Sequence, residues 1–317
     1  MQPFGRWKSR VGPRRRLLDH DLQNVTFDPT KPHNSTDWPR MRPDLAIAQA
    51  LLNTRPTGPS VVARSGNFLP EWDVVTTHMC ERFGHRSPGV HCQDALFAYP
   101  LLGSHVAVVQ VTEQGDTELS FRVLVLHRKV YDALGDPFVI ADRYPPNWAA
   151  RGDLASLEWP EELLPKRQVA DLQTILKSGD MPLLLGGAQA LIDGSRLLLQ
   201  SHEPMGKPIR DLWKLLPNRT RCELWPATFA FSDELGFHVL AMPEPPTQWP
   251  MGYLTADQAR DYPEGRYELA LQLAVEDSDQ REVDRLLARR SSSDTLRLAL
   301  FMVIIAFVAS AISKFLI

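Results

Sequence analysis

The chain is poor in cysteine: Cys80, Cys92 and Cys222 are the only three in 317 residues, and no two stand in a C-x-x-C pair. So sparse and odd a set makes no disulfide framework and agrees with a reducing compartment. On that reading the Asn-X-Ser/Thr triplets at Asn24, Asn34 and Asn218 are accidental, because glycosylation needs the secretory lumen. An excess of one charge is lacking too. The 35 Lys and Arg against 38 Asp and Glu leave a net charge of −3, which gives no reason to expect nucleic acid as a partner. The phosphate-loop pattern G-x-x-x-x-G-K-[ST], H-E-x-x-H and G-x-S-x-G are all missing, so the ordinary forms of those chemistries are not expected. Gly186-Gly187 lacks the third glycine and the acidic partner of a dinucleotide fingerprint and reads as a tight turn. No cofactor is expected. Met1–Arg16 is basic (Arg6, Lys8, Arg10, Arg14, Arg15, Arg16) but holds no apolar stretch of the kind a secretory signal needs.

What is present is one long apolar run. Leu298–Ile317, LALFMVIIAFVASAISKFLI, carries no charge before Lys314. Twenty helical residues span about 30 Å, the thickness of a bilayer's hydrocarbon core, and the segment has no polar face, so a C-terminal single transmembrane helix is expected. Arg281, Arg285, Arg289, Arg290 and Arg297 precede it and only Lys314 lies near its far end. The positive-inside rule then predicts a membrane-anchored protein with its N-terminal body in the cytoplasm and the bilayer as one partner.

The rest divides into five stretches. Residues 1–42 are basic, then rich in Pro, Asn, Asp and Thr, and read as a disordered arm. Residues 43–160 read as an α+β region. Leu45–Leu52 (LAIAQALL) is expected as a short helix, and His105–Val111 and Leu119–Leu126 as a β-hairpin about the turn at Thr112–Glu118. Val130–Leu134 reads as a helical turn stopped by Gly135, and Phe138–Pro160 as loop. Residues 161–263 read as an α/β region. Val169–Leu176 has a helical stripe closed by Gly179. Leu183–Leu185 reads as a strand entering the Gly186-Gly187 bend, and Asp193-Gly194 as a hairpin turn before Arg196–Leu199. Ile209–Leu216 reads as a helix, with Cys222–Phe231 and Phe237–Met242 as strands. Residues 264–293 read as a helical hairpin and juxtamembrane joint, with Asp279 and Glu282 as a capping-box-like start of the second helix, and 294–317 as the anchor. The fold class expected is α/β or α+β cytoplasmic domains plus the transmembrane helix. Of the 26 prolines, those at 39, 160, 226 and 250 follow a tryptophan; these read as loop ends pinned by an aromatic ring.

Two polar groupings are candidates for chemistry. His78, Cys80, His85, His91 and Cys92 are crowded into fifteen positions. Cys80, His85, His91 and Cys92 supply four zinc-type ligands, though neighbours at 91 and 92 strain a tetrahedral site. Alternatively Cys80 or Cys92 is a nucleophile with His78, His85 or His91 as base. The plainer reading is a turn at Arg86–Gly89 with a partly buried loop around it, so no catalytic or metal residue is assigned. A membrane-anchored hydrolase or metal-binding protein is the runner-up. The second grouping, Asp136, Asp142, Arg143, Arg151, Asp153 and Glu158, reads as loop charges that pair with each other, with ligand binding as the alternative.

Four segments occur in a telling order: Phe83-Gly84-His85-Arg86-Ser87-Pro88-Gly89, Leu183–Gly187, LWKLLP at Leu212–Pro217 and RCELWPATFAF at Arg221–Phe231. Together they resemble, in patches across residues 80–245, the accessory domains of bacterial GTPase-associated proteins. There an SPG segment, a strand ending in glycine, an LLP helix end and a strand ending in f-T recur. The resemblance implies an adaptor beside a GTPase, with no catalytic residues to carry over. ALQLAVEDSDQREVDRLLARR near the C-terminus resembles the helix–turn–helix of a single ankyrin unit. The function expected is therefore an interaction or adaptor protein with a protein partner, which the resemblance implies is a GTPase.

Overall fold

Ile47 to Leu52 is an unbroken run of buried residues, and that run sets the architecture. A computed structural model describes residues 45–55, 58–115, 117–160, 164–244 and 252–288. In chain order they form β1 (Ala46–Arg55), β2 (Gly58–Ser65), α1 (Pro70–Arg82), β3 (Ala95–Pro100), β4 (His105–Gln114), β5 (Glu118–His127), α2 (Arg128–Leu134), α3 (Pro137–Arg143), β6 (Gly152–Leu154) and β7 (Leu157–Glu158). There follow α4 (Val169–Ser178), α5 (Met181–Ile192), β8 (Arg196–Gln200), α6 (Gly206–Leu215), α7 (Asn218–Glu223), β9 (Pro226–Ala227), β10 (Val239–Met242), β11 (Tyr253–Leu254), α8 (Ala256–Arg260), α9 (Arg266–Glu276) and α10 (Gln280–Leu287). The strands make one sheet of order β11-β8-β10-β9-β3-β4-β5-β1-β2-β6, with β7 paired to β1.

The sheet has two characters. From β3 to β2 all neighbours are antiparallel, whereas β9, β10, β8 and β11 run parallel to one another. The splice between them is the antiparallel pairing of Phe97 with Ala227. Thr228 reinforces it from both sides: its N–H donates to Leu96 O at 2.8 Å, and its Oγ1 accepts the Leu96 N–H at 2.8 Å. Phe83 stacks on Phe97 and meets Phe121 and Phe231 edge-on, while its carbonyl accepts the Phe231 N–H at 2.9 Å. Gly84 follows with φ +98°, and a Cβ there would lie 2.8 Å from Phe231 Cβ. Glycine is thus required twice over, by conformation and by the closeness of the two chains.

Several expectations are corrected. Leu45–Leu52 is not a helix: it lies in β1, between β5 and β2, where both faces need apolar cover. A short apolar run alone does not distinguish a buried strand from a buried helix. Leu183–Gly187 is the interior of α5. Its glycines serve helix packing, since a Cβ on Gly186 would sit 2.0 Å from the Ala259 carbonyl oxygen of α8. Asp193-Gly194 leads into β8, which pairs in parallel with β10, so no hairpin forms there. Phe138–Pro160 contains α3, β6 and β7 as well as loop. Arg221–Phe231 is not one strand: Arg221 and Cys222 belong to α7, and β9 is two residues long. Pro226 offers no N–H to extend the ladder.

The largest correction concerns the membrane. Among the described residues no helix is long and apolar enough to cross a bilayer. The longest, α1, has 13 residues, about 20 Å at 1.5 Å per residue against a core of about 30 Å. Leu298–Ile317, with Arg289, Arg290, Arg297 and Lys314, lies outside the described residues, as does the basic arm at 1–42. The fold class is corrected to a mixed α/β domain around an 11-stranded sheet. The transmembrane helix, the single-pass anchor and the cytoplasmic orientation derived from it are withdrawn. The hairpin α9–α10 forms as expected, with Asp279 Oδ1 accepting the Arg281 and Glu282 N–H groups. It is docked on the body: Tyr267 Oη donates to Leu215 O at 2.5 Å and Gln173 Nε2 to Val275 O at 2.8 Å. Arg285, expected to flank a membrane, pairs with Glu282 on its own helix.

Phe229 is fully buried beside the splice and packs edge-on against Phe231 at 5.1 Å. Phe229→Ala should lower stability by about 3–5 kcal/mol, read as a fall in the urea midpoint. An unchanged midpoint would contradict the burial.

Candidate functional site

The crowded His/Cys segment is taken apart by its own geometry. Cys80 and Cys92 point into the core, with 1% and 0% of their surface exposed, whereas His78, His85 and His91 are exposed. Burial pushes the Cys80 thiol far above its ordinary range. It also raises Cys92 to about 12, the nearby Arg86 charge lowering it only in part. Neither thiol is poised to become a thiolate. The imidazoles face carboxylates instead, His78 Nδ1 at 3.6 Å from Glu81 Oε2 and His91 Nδ1 at 3.5 Å from Glu113 Oε2. Among the described residues no group of three or more His, Cys, Asp or Glu is placed to hold a metal ion.

A different set of polar groups converges beside the splice. Gly135, with φ +60°, ends α2 in a left-handed turn, and Asp136 immediately caps α3. Its Oδ1 accepts the N–H groups of Phe138 at 3.0 Å and Val139 at 3.2 Å. That leaves Oδ2 for Arg221 on α7, whose Nη1 lies 3.1 Å away. Both side chains are more than nine-tenths buried. Trp213 of α6 donates its Nε1–H to Gly135 O at 3.1 Å and so fixes the same turn.

Arg167, just before α4, is the second guanidinium. It donates from Nη1 to Lys214 O and Leu216 O at 2.5 and 2.7 Å, and from Nη2 to Asn218 Oδ1 at 2.6 Å. Arg221 Nη2 shares that Asn218 oxygen at 3.3 Å. Burial first, and the Arg221 charge second, bring the Arg167 pKa down to about 9, which still leaves it charged at pH 7. Removing one partner of a buried pair such as Asp136–Arg221 typically costs about 3–5 kcal/mol, because the other charge is stranded.

A cleft of about 690 Å³ opens beside this pair, between α2–α3 on one side and α4 and α10 on the other. Its apolar lining is Leu134, Val139, Leu172 and Leu287, beside the buried Asp136 and Arg221 themselves. Its rim carries both signs, Lys166 and Lys214 against Asp132, Asp171 and Asp284. Lys166 Nζ reaches Asp284 Oδ2 at 3.3 Å, in a pair that is largely exposed. The charged loop noted in the sequence is dispersed: Asp136 is buried in the pair with Arg221, and Asp142 receives a two-pronged contact from Arg210 at 2.7 and 2.9 Å. Arg167 and Arg221 are the residues that sequence reasoning missed. Arg167 opens an apolar helix, and Arg221 stands in a stretch whose apolar residues read as a strand. No protein-family model matches the chain, and no curated protein matches it either.

His238 ties the splice to pH. Its Nδ1 accepts the Trp225 N–H at 3.0 Å, and burial, helped by the Arg196 charge, lowers its pKa to about 4. The unfolded chain therefore takes up this proton first, near pH 6.5, and stability falls as pH drops from there toward 4. One proton sets a limit of about 1.4 kcal/mol per pH unit, and the partly exposed ring lies below it. The melting temperature should fall between pH 7 and pH 5, and His238→Asn should flatten that fall. An equal slope in both proteins would contradict the assignment.

Proposed function

We propose that this protein is a non-catalytic interaction module, an adaptor that seats a polypeptide segment of a partner in the cleft beside Asp136 and Arg221. The observation that carries the reading is a cleft whose lining combines apolar side chains with charges of both signs. A segment of protein offers apolar side chains and both charges at once. Nucleic acid calls instead for a uniformly basic face, and this lining carries both signs. The motif resemblance supplies the partner class, a GTPase. Three of its four segments lie around the splice and the cleft: Phe83 meets Phe231, Leu216 O accepts from Arg167, and Arg221 pairs with Asp136.

The test is to purify the tagged full-length protein with its partners and identify them by mass spectrometry, beside the variant Lys166→Glu/Lys214→Glu. Both changes lie on the rim, so stability should move by no more than about 0.5 kcal/mol each, checked by thermal melting. A partner lost from the variant supports the cleft, and a GTPase as that partner supports the resemblance. The same partners recovered in the same amounts by both proteins would overturn the proposal.

A further inference from the structure

A second arginine is buried without a carboxylate. Arg122, at 4% exposure, stands in β5 opposite Gln110 of β4 and Leu51 of β1. The same sheet face carries Gln49 and Ser120, also buried. A covered sheet face is ordinarily apolar, so a buried polar stripe calls for a reason. The Arg122 bonds all go to neutral oxygens. Nη1 donates to Gln110 Oε1 at 3.0 Å and to the Tyr144 carbonyl, and Nη2 donates to Gln49 Oε1 at 2.9 Å. Gln49 in turn donates from Nε2 to Ala155 O at 2.6 Å. The two side chains thereby hold both ends of the segment 144–155 over the sheet.

Nη1 thus makes two bonds and Nη2 one, while Nε–H has no hydrogen-bond partner among the described residues. Nε and Nη2 together form the edge of a guanidinium that a carboxylate grips side-on with two parallel hydrogen bonds. No carboxylate of the described residues offsets the charge: burial alone acts on Arg122, lowering its pKa to about 10, so it remains a cation at pH 7. An uncompensated buried cation is unfavourable, and an anion brought to it gains what the fold has left open.

Arg122 lines a pocket of about 340 Å³, near the lower end of the range for small-molecule sites. Leu51, Leu154 and Leu157 make its apolar walls. Arg143 and Asn147, both exposed, stand at its mouth. The Arg143 guanidinium is propped 5.2 Å over the Trp159 ring.

The geometry points to a binding site for a small organic carboxylate, its carboxylate on the Nε–Nη2 edge of Arg122 and its aliphatic or aromatic body between Leu51, Leu154 and Leu157. Phosphate fits less well. It brings more charge and three strong acceptor oxygens, and the pocket offers one buried guanidinium among leucines. This site is separate from the cleft of the adaptor reading and stands or falls without it.

Calorimetric titration of the full-length protein tests it, with isovalerate and benzoate as probes, isovaleramide and benzamide as their uncharged counterparts, and inorganic phosphate as a third arm. Saturable binding of a carboxylate is expected, with its amide weaker by about tenfold or more. Arg122→Lys should weaken the carboxylate by about tenfold, since an ammonium cannot grip side-on. Arg143→Gln, at the exposed mouth, should cost about threefold. Leu154→Trp fills the pocket without touching the guanidinium and should abolish binding even if Arg122→Lys fails to fold. No saturable binding of either carboxylate, phosphate binding tighter than both, or carboxylate binding unchanged in Leu154→Trp would overturn the proposal.

Discussion

An antiparallel sheet and a parallel one are joined here through the pairing of Phe97 with Ala227, and the rest of the molecule is arranged to make that junction hold. A two-residue strand cut short by proline supplies little ladder. Side chains and irregular backbone supply the remainder: Thr228 clasps Leu96 with two hydrogen bonds, and Phe231 docks on Phe83. Trp213 and Arg221 reach back to Gly135 and Asp136. Arg128 of α2 extends the same join, with Nη2 on Cys222 O and its guanidinium 5.0 Å from the Trp225 ring centre. The candidate cleft lies where these cross-links leave space between the helices of the two halves.

Arg221 and Arg122 solve one problem in opposite ways. Arg221 meets a carboxylate that is itself fixed by capping α3, so the pair is neutral and largely structural. Arg122 meets amide and carbonyl oxygens, which orient it without cancelling its charge. Compensated burial makes Arg221 a brace, whereas Arg122 keeps an uncancelled charge beside a cavity.

Legibility in the sequence followed the range of the forces. The β4–β5 hairpin, the α2 stop at Gly135, α4, α6 and the α9–α10 hairpin were readable, because alternation, capping and glycine stops act over a few residues. β1 was not, since LAIAQALL is made of good helix formers and its strand state depends on partners near residues 60 and 120. Gly186 read as a turn because the carbonyl that demands it, on Ala259, lies more than seventy positions away. At the sites, Asp136 and Arg143 stood in a charged loop that the sequence marked, but their roles depend on Arg221 and Trp159. Arg122 had a signal: a lone charge inside the apolar strand LSFRVLVL is rare enough to ask what it meets.

The splice makes the two halves one cooperative unit. Native-state hydrogen exchange at low denaturant reads this directly. The amides of Thr228 and Phe231, which donate across the junction to Leu96 and Phe83, should open with the same free energy as the most protected amides of β4 and β5. Exchange of Thr228 and Phe231 through a lower-energy opening, with β4 and β5 still protected, would show instead that the parallel half comes away on its own.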